Sequence, residues 1–373
     1  MADRGLEHVV MGDSKISYVG GETGELVFRG YPVQRLVGHW SYEAIVHLLL
    51  FGDLPTSDPP EPLRQELAAA RRLPSPLEQL TDLIPAETSP IEALRTSLSG
   101  LGTVAPFGYP PTTAEGLRLI GACPTMLTRF VRRKSGAPAT PVDPQAGHVG
   151  NYLTMLTGHP PTADQTRALE DYFILLADHG MNASTFALCV VISTESDLVS
   201  GATAALGALK GPAHGGAPSR VAEMLDAIGT IDQAETWLSQ ALARRERLYG
   251  FGHRAYKVED PRAIELKRIA RTVADPERLR LAEQVERMAL DLLHKERPGR
   301  RLYTNVEYYG AIVLEAVGIP RGLFTPTFAL ARTAGWTAHA VEQAADNRLI
   351  RPEVRYTGEA VGRAMPGPSR ASG

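Results

Sequence analysis

Cysteine is nearly missing from this chain, which carries only Cys123 and Cys189 in 373 residues. The two form no CxxC spacing and no disulfide framework, which points to a reducing, cytoplasmic setting and to packing roles rather than nucleophilic ones. Charge of one sign is lacking too. With a formal net charge of −3 and an isoelectric point near 6.4, no global basic field draws in nucleic acid or an anionic membrane. An anionic substrate would have to be met by local arginines. No apolar run reaches the roughly 18 residues of a membrane span, and Met1–Gly5 leads into polar sequence without the apolar core of a secretory signal. The histidines show no clustered Cys/His ligand pattern, so no metal is implied. There is no internal repeat. What remains is ordinary globular composition, 43% hydrophobic and 22% charged, long enough for one large domain or two.

Strand signals are almost confined to the first 30 residues. Ile16–Val19 and Leu26–Phe28 flank Gly20-Gly21-Glu22-Thr23-Gly24 and predict a small hairpin. From Ser41 onward the pattern is helical. Ser41 caps a helix carrying Ile45, Val46, Leu48 and Leu49, which Gly52 and Pro55 stop. Thr162 and Gln165 have the form of a capping box, followed by Leu169, Tyr172, Phe173 and Leu176 on one helical face. Asp260-Pro261 marks another start, and Thr325-Pro326 opens a run to about Ala345. The fold class is therefore mainly α. The stretch from Lys134 to Pro144 reads as a surface loop, and the basic residues Arg129, Arg132, Arg133 and Lys134 before it read as a solvated helix end rather than a phosphate site. The tail from Gly367 to Gly373 reads as disordered.

Three separate segments each set an acid, base or anion-binding group beside glycine or proline. They are Gly211-Pro212-Ala213-His214-Gly215-Gly216, Gly252-His253-Arg254-Ala255-Tyr256-Lys257 with Asp260-Pro261-Arg262, and Asn305-Val306-Glu307-Tyr308-Tyr309-Gly310. Taken singly, His214 fits a turn residue and the cations after His253 fit an exposed basic face. Together, two imidazoles and a carboxylate can polarise a carbonyl, protonate an oxygen and remove a carbon-bound proton. That set fits carbon–carbon bond formation through an enol.

These segments, with Ala177-Asp178-His179, Asn182–Phe186, Ala208–Ala217, Phe328-Ala329, Ala331–Trp336, His339, Glu342-Gln343 and Arg351-Pro352, resemble the citrate synthase family from about Ile16 to Gly358. The resemblance implies a mostly helical two-domain subunit with a small N-terminal β-hairpin. A large domain would comprise residues 1–214 and 312–373, with a smaller domain, 215–311, inserted between them and a cleft that closes over the substrates. The length is similar to that of the shorter, dimeric members, so a homodimer with shared active sites is expected. His214 resembles the histidine that binds the thioester oxygen and stabilises the enol. His253 resembles the one that protonates the oxaloacetate carbonyl, and Glu307 stands where the family's aspartate removes the methyl proton. His179, Arg262 and Arg332 resemble oxaloacetate ligands, and Arg351 resembles the arginine that reaches into the neighbouring subunit's site. Planar arginine forks suit a dicarboxylate.

The sequence departs from the family pattern at four of these positions. Glu307 replaces aspartate, Gly180 stands where glutamate is common, Leu176 replaces a common histidine and Cys189 a common arginine. Arg254, Lys257, Arg300 and Arg301 flank the catalytic segments and are candidates for the coenzyme A phosphates, although exposed basic residues need no ligand to explain them. No permanently bound cofactor is expected, the coenzyme A thioester being a substrate. The implied activity is citrate synthase, joining acetyl-CoA to oxaloacetate and hydrolysing citryl-CoA. Its alternatives are a 2-methylcitrate synthase using propionyl-CoA, or a non-catalytic homologue that binds coenzyme A or oxaloacetate.

Overall fold

A computed structural model describes residues 5–6, 9–215 and 218–358. The tail from Gly367 lies outside these described residues. The hairpin forms as expected: β1 (Ser17–Gly20) pairs antiparallel with β2 (Glu25–Phe28), with Ser17 opposite Phe28 and Gly20 opposite Glu25. A short third strand that the sequence pattern did not show, β3 (Tyr31–Pro32), extends this sheet. Its two residues carry too little alternation to be read as a strand.

Helices make up nearly all of the rest. The first five are α1 (Tyr42–Phe51), α2 (Glu61–Ala70), α3 (Ser75–Leu83), α4 (Pro90–Val104) and α5 (Thr113–Lys134). Then come α6 (His148–Thr157), α7 (Ala163–Leu176), α8 (Ala183–Ser193) and α9 (Leu198–Leu209). The segment behind His214 supplies α10 (Pro218–Ile228), α11 (Ile231–Ala243), α12 (Pro261–Val273), α13 (Pro276–Glu296) and α14 (Val306–Ala316). The last helix is α15 (Phe324–Ala345).

Most of the starts read from sequence are real because they depend on neighbouring residues only. Ser41 accepts from the Ala44 N–H, and Gly52 closes α1. Thr162 and Gln165 complete a reciprocal capping box on α7. Asp260 caps α12, with Pro261 in its first turn. Thr325 is the exception. Helix α15 begins one residue earlier, continuing a 3₁₀ turn at Arg321–Leu323, so no side chain caps it. The Thr325 hydroxyl instead donates to the Gly215 carbonyl at 3.0 Å, and Pro326 sits in the first turn, where its missing N–H has no partner to lose.

The buried helix α15, with Trp336 fully enclosed, packs against α1, α5, α7, α8 and α9 and forms the centre of the core. Within the later segment, α12 lies on α14, α11 on α13, and α10 on α14. Both α12 and α14 also contact α7, which leads into the loop carrying His179 and packs on α15, the helix carrying Arg332. The expected segment limit at 311 falls inside α14.

The basic residues at the end of α5 are engaged structurally. Arg129 pairs with Asp82 at 2.6 Å and Glu78 at 3.1 Å, Arg132 donates to the Pro138 carbonyl at 2.9 Å, and Arg133 donates to that of Ile84. Both cysteines are buried free thiols, and burial pushes each up to about 12, which suits packing rather than nucleophilic chemistry. Among the described residues, no helix is long and apolar enough to cross a membrane, and no cluster of three potential metal ligands occurs.

Candidate active site

The His253 and Glu307 segments are bound to each other by main chain. Phe251 and Thr304 form an isolated β-bridge, the Gly252 N–H donates to the Tyr303 carbonyl at 2.7 Å, and the Asn305 N–H donates to Gly250 at 2.9 Å. Asn305 then caps α14, accepting from the Glu307 N–H at 3.0 Å, while its amide donates to the Gly252 carbonyl at 2.9 Å. Glu307 therefore sits in the first turn of a helix whose start is fastened to the residue before His253.

Asp260 completes this frame. It is buried, and one oxygen accepts from both the N–H and Nε of Arg262 at 3.0 Å, while the other accepts from Arg262 Nη2 at 2.8 Å and from the Val306 N–H at 3.2 Å. One carboxylate thus caps α12, holds the arginine fork and grips the start of α14. Burial works against the Arg262 charge, but its pairing with Asp260 outweighs that, so the charge persists. Its Nη2 lies 3.3 Å from His253 Nε2.

The other ring nitrogen of His253 fixes its tautomer. Nδ1 accepts from the N–H groups of Ala255 and Tyr256, both at 3.0 Å; these two shorter contacts outweigh the one from donor-only Arg262 at 3.3 Å from Nε2, so the neutral ring carries its proton on Nε2, beside the arginine but not bonded to it. Burial first, then Arg262 and Lys257, holds His253 down to about 4 against the opposing pull of Asp260. It is a neutral donor at physiological pH.

His179 lies beside it, with ring centroids 5.3 Å apart. Burial, then Arg262, His253, Arg332 and His214, push His179 well below its ordinary value. The loop before and after His179 is pinned by Asp178, which accepts from the Gly180 N–H at 2.9 Å and from the Ser17 hydroxyl, and which lies 3.2 Å from His339 Nε2. Gly180 has a φ of +55°, which explains the departure from glutamate: the left-handed backbone here favours glycine.

His214 joins the group through α8. Its Nε2 is taken up by Ser184, 3.3 Å from the main-chain N and 2.9 Å from the hydroxyl, and that hydroxyl also accepts from Trp336 Nε1 at 3.2 Å. Burial and then Arg332 lower His214 to about 4. Arg332 is buried on α15, donates to the Leu176 carbonyl at 2.7 Å and stacks 4.9 Å from the Phe328 ring centroid. The leucine at 176 contributes its backbone here. Burial brings Arg332 down to about 10, so it stays a cation.

Glu307 is the carboxylate whose affinity for protons is raised, to about 7. Burial outweighs the lowering effects of Arg247, Arg262 and the Asn305 hydrogen bond. The site therefore combines two fixed guanidinium charges, three neutral imidazoles and a base whose ionisation falls near neutrality.

The structure thus brings His179, His214, His253, Arg262, Arg332 and Glu307 into one electrostatic cluster. Arg351 lies elsewhere. It is exposed and follows Ile350, whose N–H donates to Ser193 Oγ at 3.1 Å. Ser193 ends α8 and Ser184 lies in its first turn, so about 14 Å of helix separates Arg351's anchor from the His214 contact. Arg254, Lys257, Arg300 and Arg301 are exposed. Arg301 is 3.6 Å from Glu22 of the hairpin, and Lys257 donates to the Arg254 carbonyl at 3.1 Å. Sequence reasoning gave no role to Arg247, Tyr256, Ser184 or Asn305. For Asn305 the signal was there, since an asparagine two residues before Glu307 is a helix cap; for Arg247, nothing separates it from the other cations of Arg244-Arg245-Glu246-Arg247.

Known proteins share both sequence and fold with this chain. The family described as "Citrate synthase, C-terminal domain" matches residues 5–353. Citrate synthase of Deinococcus radiodurans is 38% identical over 95% of each chain. A 2-methylcitrate synthase of Mycobacterium tuberculosis is 37% identical over 98% of this chain and 92% of its own. The crystal structure of citrate synthase from Thermotoga maritima superposes with a TM-score of 0.88 at 36% identity, covering 98% of both chains. The ternary complex of carboxymethyl coenzyme A and oxaloacetate with citrate synthase from Thermoplasma acidophilum superposes at 0.91 with 28% identity, again over 98% of both. By these matches across nearly its whole length, the chain belongs to the citrate synthase family.

Proposed function

We propose that this protein condenses acetyl-CoA with oxaloacetate and hydrolyses the resulting thioester to citrate and coenzyme A. The observation that carries this reading is the frame holding Glu307, as a carboxylate titrating near neutrality, in fixed register with the Nε2–H of His253. Oxaloacetate is a dicarboxylate, and the buried cations Arg262 and Arg332 beside His179 suit it. Glu307 takes a methyl proton from acetyl-CoA, and His214 stabilises the enol oxygen left behind. The enol carbon attacks the oxaloacetate carbonyl carbon as His253 gives its Nε2 proton to that oxygen. Water then cleaves citryl-CoA, releasing citrate and the free thiol.

Residues 215–311 act as the smaller domain, closing on the larger one once oxaloacetate bridges His179, His253, Arg262 and Arg332. Arg254, Lys257, Arg300 and Arg301 serve the coenzyme A phosphates. Two copies form the working dimer, and the segment that carries Arg351 docks on the partner. Its position away from its own chain's cluster supports this, as does the exposure of Leu349, Val354 and Tyr356 on the same segment. The free buried thiols suit a cytoplasmic location.

The test is thiol release from acetyl-CoA with and without oxaloacetate, with propionyl-CoA run in parallel. Release from acetyl-CoA that requires oxaloacetate supports the reading. A higher kcat/KM for propionyl-CoA would make the protein a 2-methylcitrate synthase, the name carried by one relative. One methylene in an apolar pocket shifts such a preference by only about 1–3 kcal/mol. No release with either donor, despite oxaloacetate binding, would leave the non-catalytic homologue.

A further inference from the structure

The loop Gly252–Lys257 contributes more than His253. Its Tyr256 is buried, and its hydroxyl lies 3.3 Å from His179 Nε2 and 3.3 Å from the carbonyl oxygen of Glu25 on β2. The tyrosine ring packs against His253, with centroids 4.9 Å apart, and against His179, at 5.5 Å. A tyrosine has one proton to donate, and a carbonyl oxygen can only accept. The hydroxyl therefore gives its proton to Glu25, and the same oxygen accepts from His179 Nε2–H. With the imidazole neutral, Nδ1 of His179 is left as the lone pair.

The hairpin holds this arrangement from both sides. Gly21 accepts from the Lys257 N–H at 2.8 Å and comes so near Ala255 that an added Cβ would stand 2.6 Å from its carbonyl oxygen. Ser17 holds the other histidine loop, donating to Asp178 and accepting from the Gly180 N–H at 3.2 Å. One short hairpin is thus fastened to the residues flanking both His179 and His253.

We propose that Tyr256 is a positioning residue that, braced on the Glu25 carbonyl of the N-terminal hairpin, holds His179 as its Nε2–H tautomer and in its working orientation. The single loop then sets both substrate histidines. The N–H groups of Ala255 and Tyr256 put the His253 proton on Nε2, and the Tyr256 hydroxyl puts the His179 proton on Nε2. The His253 Nε2–H is left to donate to substrate, while the His179 Nε2–H is spent on Tyr256 and fixes that ring between the two guanidinium cations. A tautomer flip at His253 would aim a lone pair where a substrate oxygen must sit, and one at His179 would break its bond to Tyr256 and free the ring to turn. The substrate part of this inference rests on the oxaloacetate reading; the tautomer part does not.

The experiment compares Tyr256→Phe with wild type, keeping the ring and removing the hydroxyl. Long-range proton–nitrogen correlation spectra of histidine-labelled protein, assigned with His179→Gln, report which His179 nitrogen carries the proton. Wild type is expected to show a protonated Nε2, and Tyr256→Phe a mixture or a shift to Nδ1, with the His253 pattern unchanged. In steady-state assays the oxaloacetate KM is expected to rise about 10-fold, with kcat at saturating oxaloacetate changed by less than about 3-fold. A wild-type Nδ1–H tautomer, or an unchanged tautomer in Tyr256→Phe, would overturn the proposal. So would a fall in kcat with an unchanged KM. Should wild type release no thiol at all, the functional reading fails, while the spectra still decide the tautomer.

Discussion

The side-chain amide of Asn305 donates to the carbonyl oxygen of Gly252 at 2.9 Å, so the cap of the helix carrying Glu307 is fastened to the residue preceding His253. Glu307 and His253, the proposed base and proton donor, come from segments more than 50 positions apart, 53 for this contact, and the bond makes them one unit. A rate set by their mutual geometry should then depend on a residue that touches no substrate.

Asn305→Ala is expected to cost about 1 kcal/mol of stability through the lost cap and about 10- to 100-fold in kcat through a displaced Glu307. Asn305→Ser keeps a capping oxygen but is too short to hold Gly252. It should recover the stability and not the rate. Urea denaturation and thiol-release kinetics on the same samples check both halves, and recovery of both in Asn305→Ser would remove the positioning role.

Activity should rise with pH through neutrality. Burial raises Glu307 to about 7, so below that pH the carboxyl is protonated and cannot accept the methyl proton. His214 and His253, held down to about 4, stay neutral across the same range. The kcat/KM for acetyl-CoA is therefore expected to fall about tenfold per pH unit on the acid side of a single break near 7. A break near 4.5, the ordinary glutamate range, would mean that burial does not govern this group.

Gly180→Ala should destabilise the protein by about 1–2 kcal/mol, the usual cost of a Cβ on left-handed backbone. The φ is +55°, and an added Cβ would lie 3.3 Å from Val19 Cγ2. A lowered urea midpoint at unchanged slope is the expected signature. An unchanged midpoint would show that the loop behind His179 relaxes freely.

Subunit exchange tests Arg351. If each site joins Glu307 of one chain to Arg351 of the other, Glu307→Ala and Arg351→Ala are each nearly inactive alone. Random mixing makes about half the dimers mixed, each with one intact site of two, so activity should return to roughly a quarter of wild type. Activity that stays at the level of the parents after demonstrated exchange would place Arg351 outside the shared site.

What could be read in advance was what neighbouring residues decide. Ser41, the Thr162–Gln165 pair and Asp260-Pro261 act within a single helical turn, and the Gly20–Gly24 turn within a single hairpin, so their residues announce them. The three candidate segments were legible as chemistry, and the family pattern supplied the roles proposed for them. Contacts between distant positions were not legible. Ser17 reaches Asp178 across 161 positions, Phe251 bridges Thr304, and Thr325 gives up an apparent cap to bind Gly215. Gly180 showed in sequence only as a departure from the family's glutamate, and its left-handed backbone, φ +55°, appears only in the fold.

The central claim is that Glu307 is the base, and Glu307→Gln addresses it with the fewest intermediate assumptions. The substitution keeps size and shape and removes the proton acceptor. Oxaloacetate affinity, followed by calorimetry, should stay within about 3-fold of wild type, while oxaloacetate-dependent thiol release from acetyl-CoA falls by at least about 100-fold. Near wild-type turnover in Glu307→Gln would contradict the account.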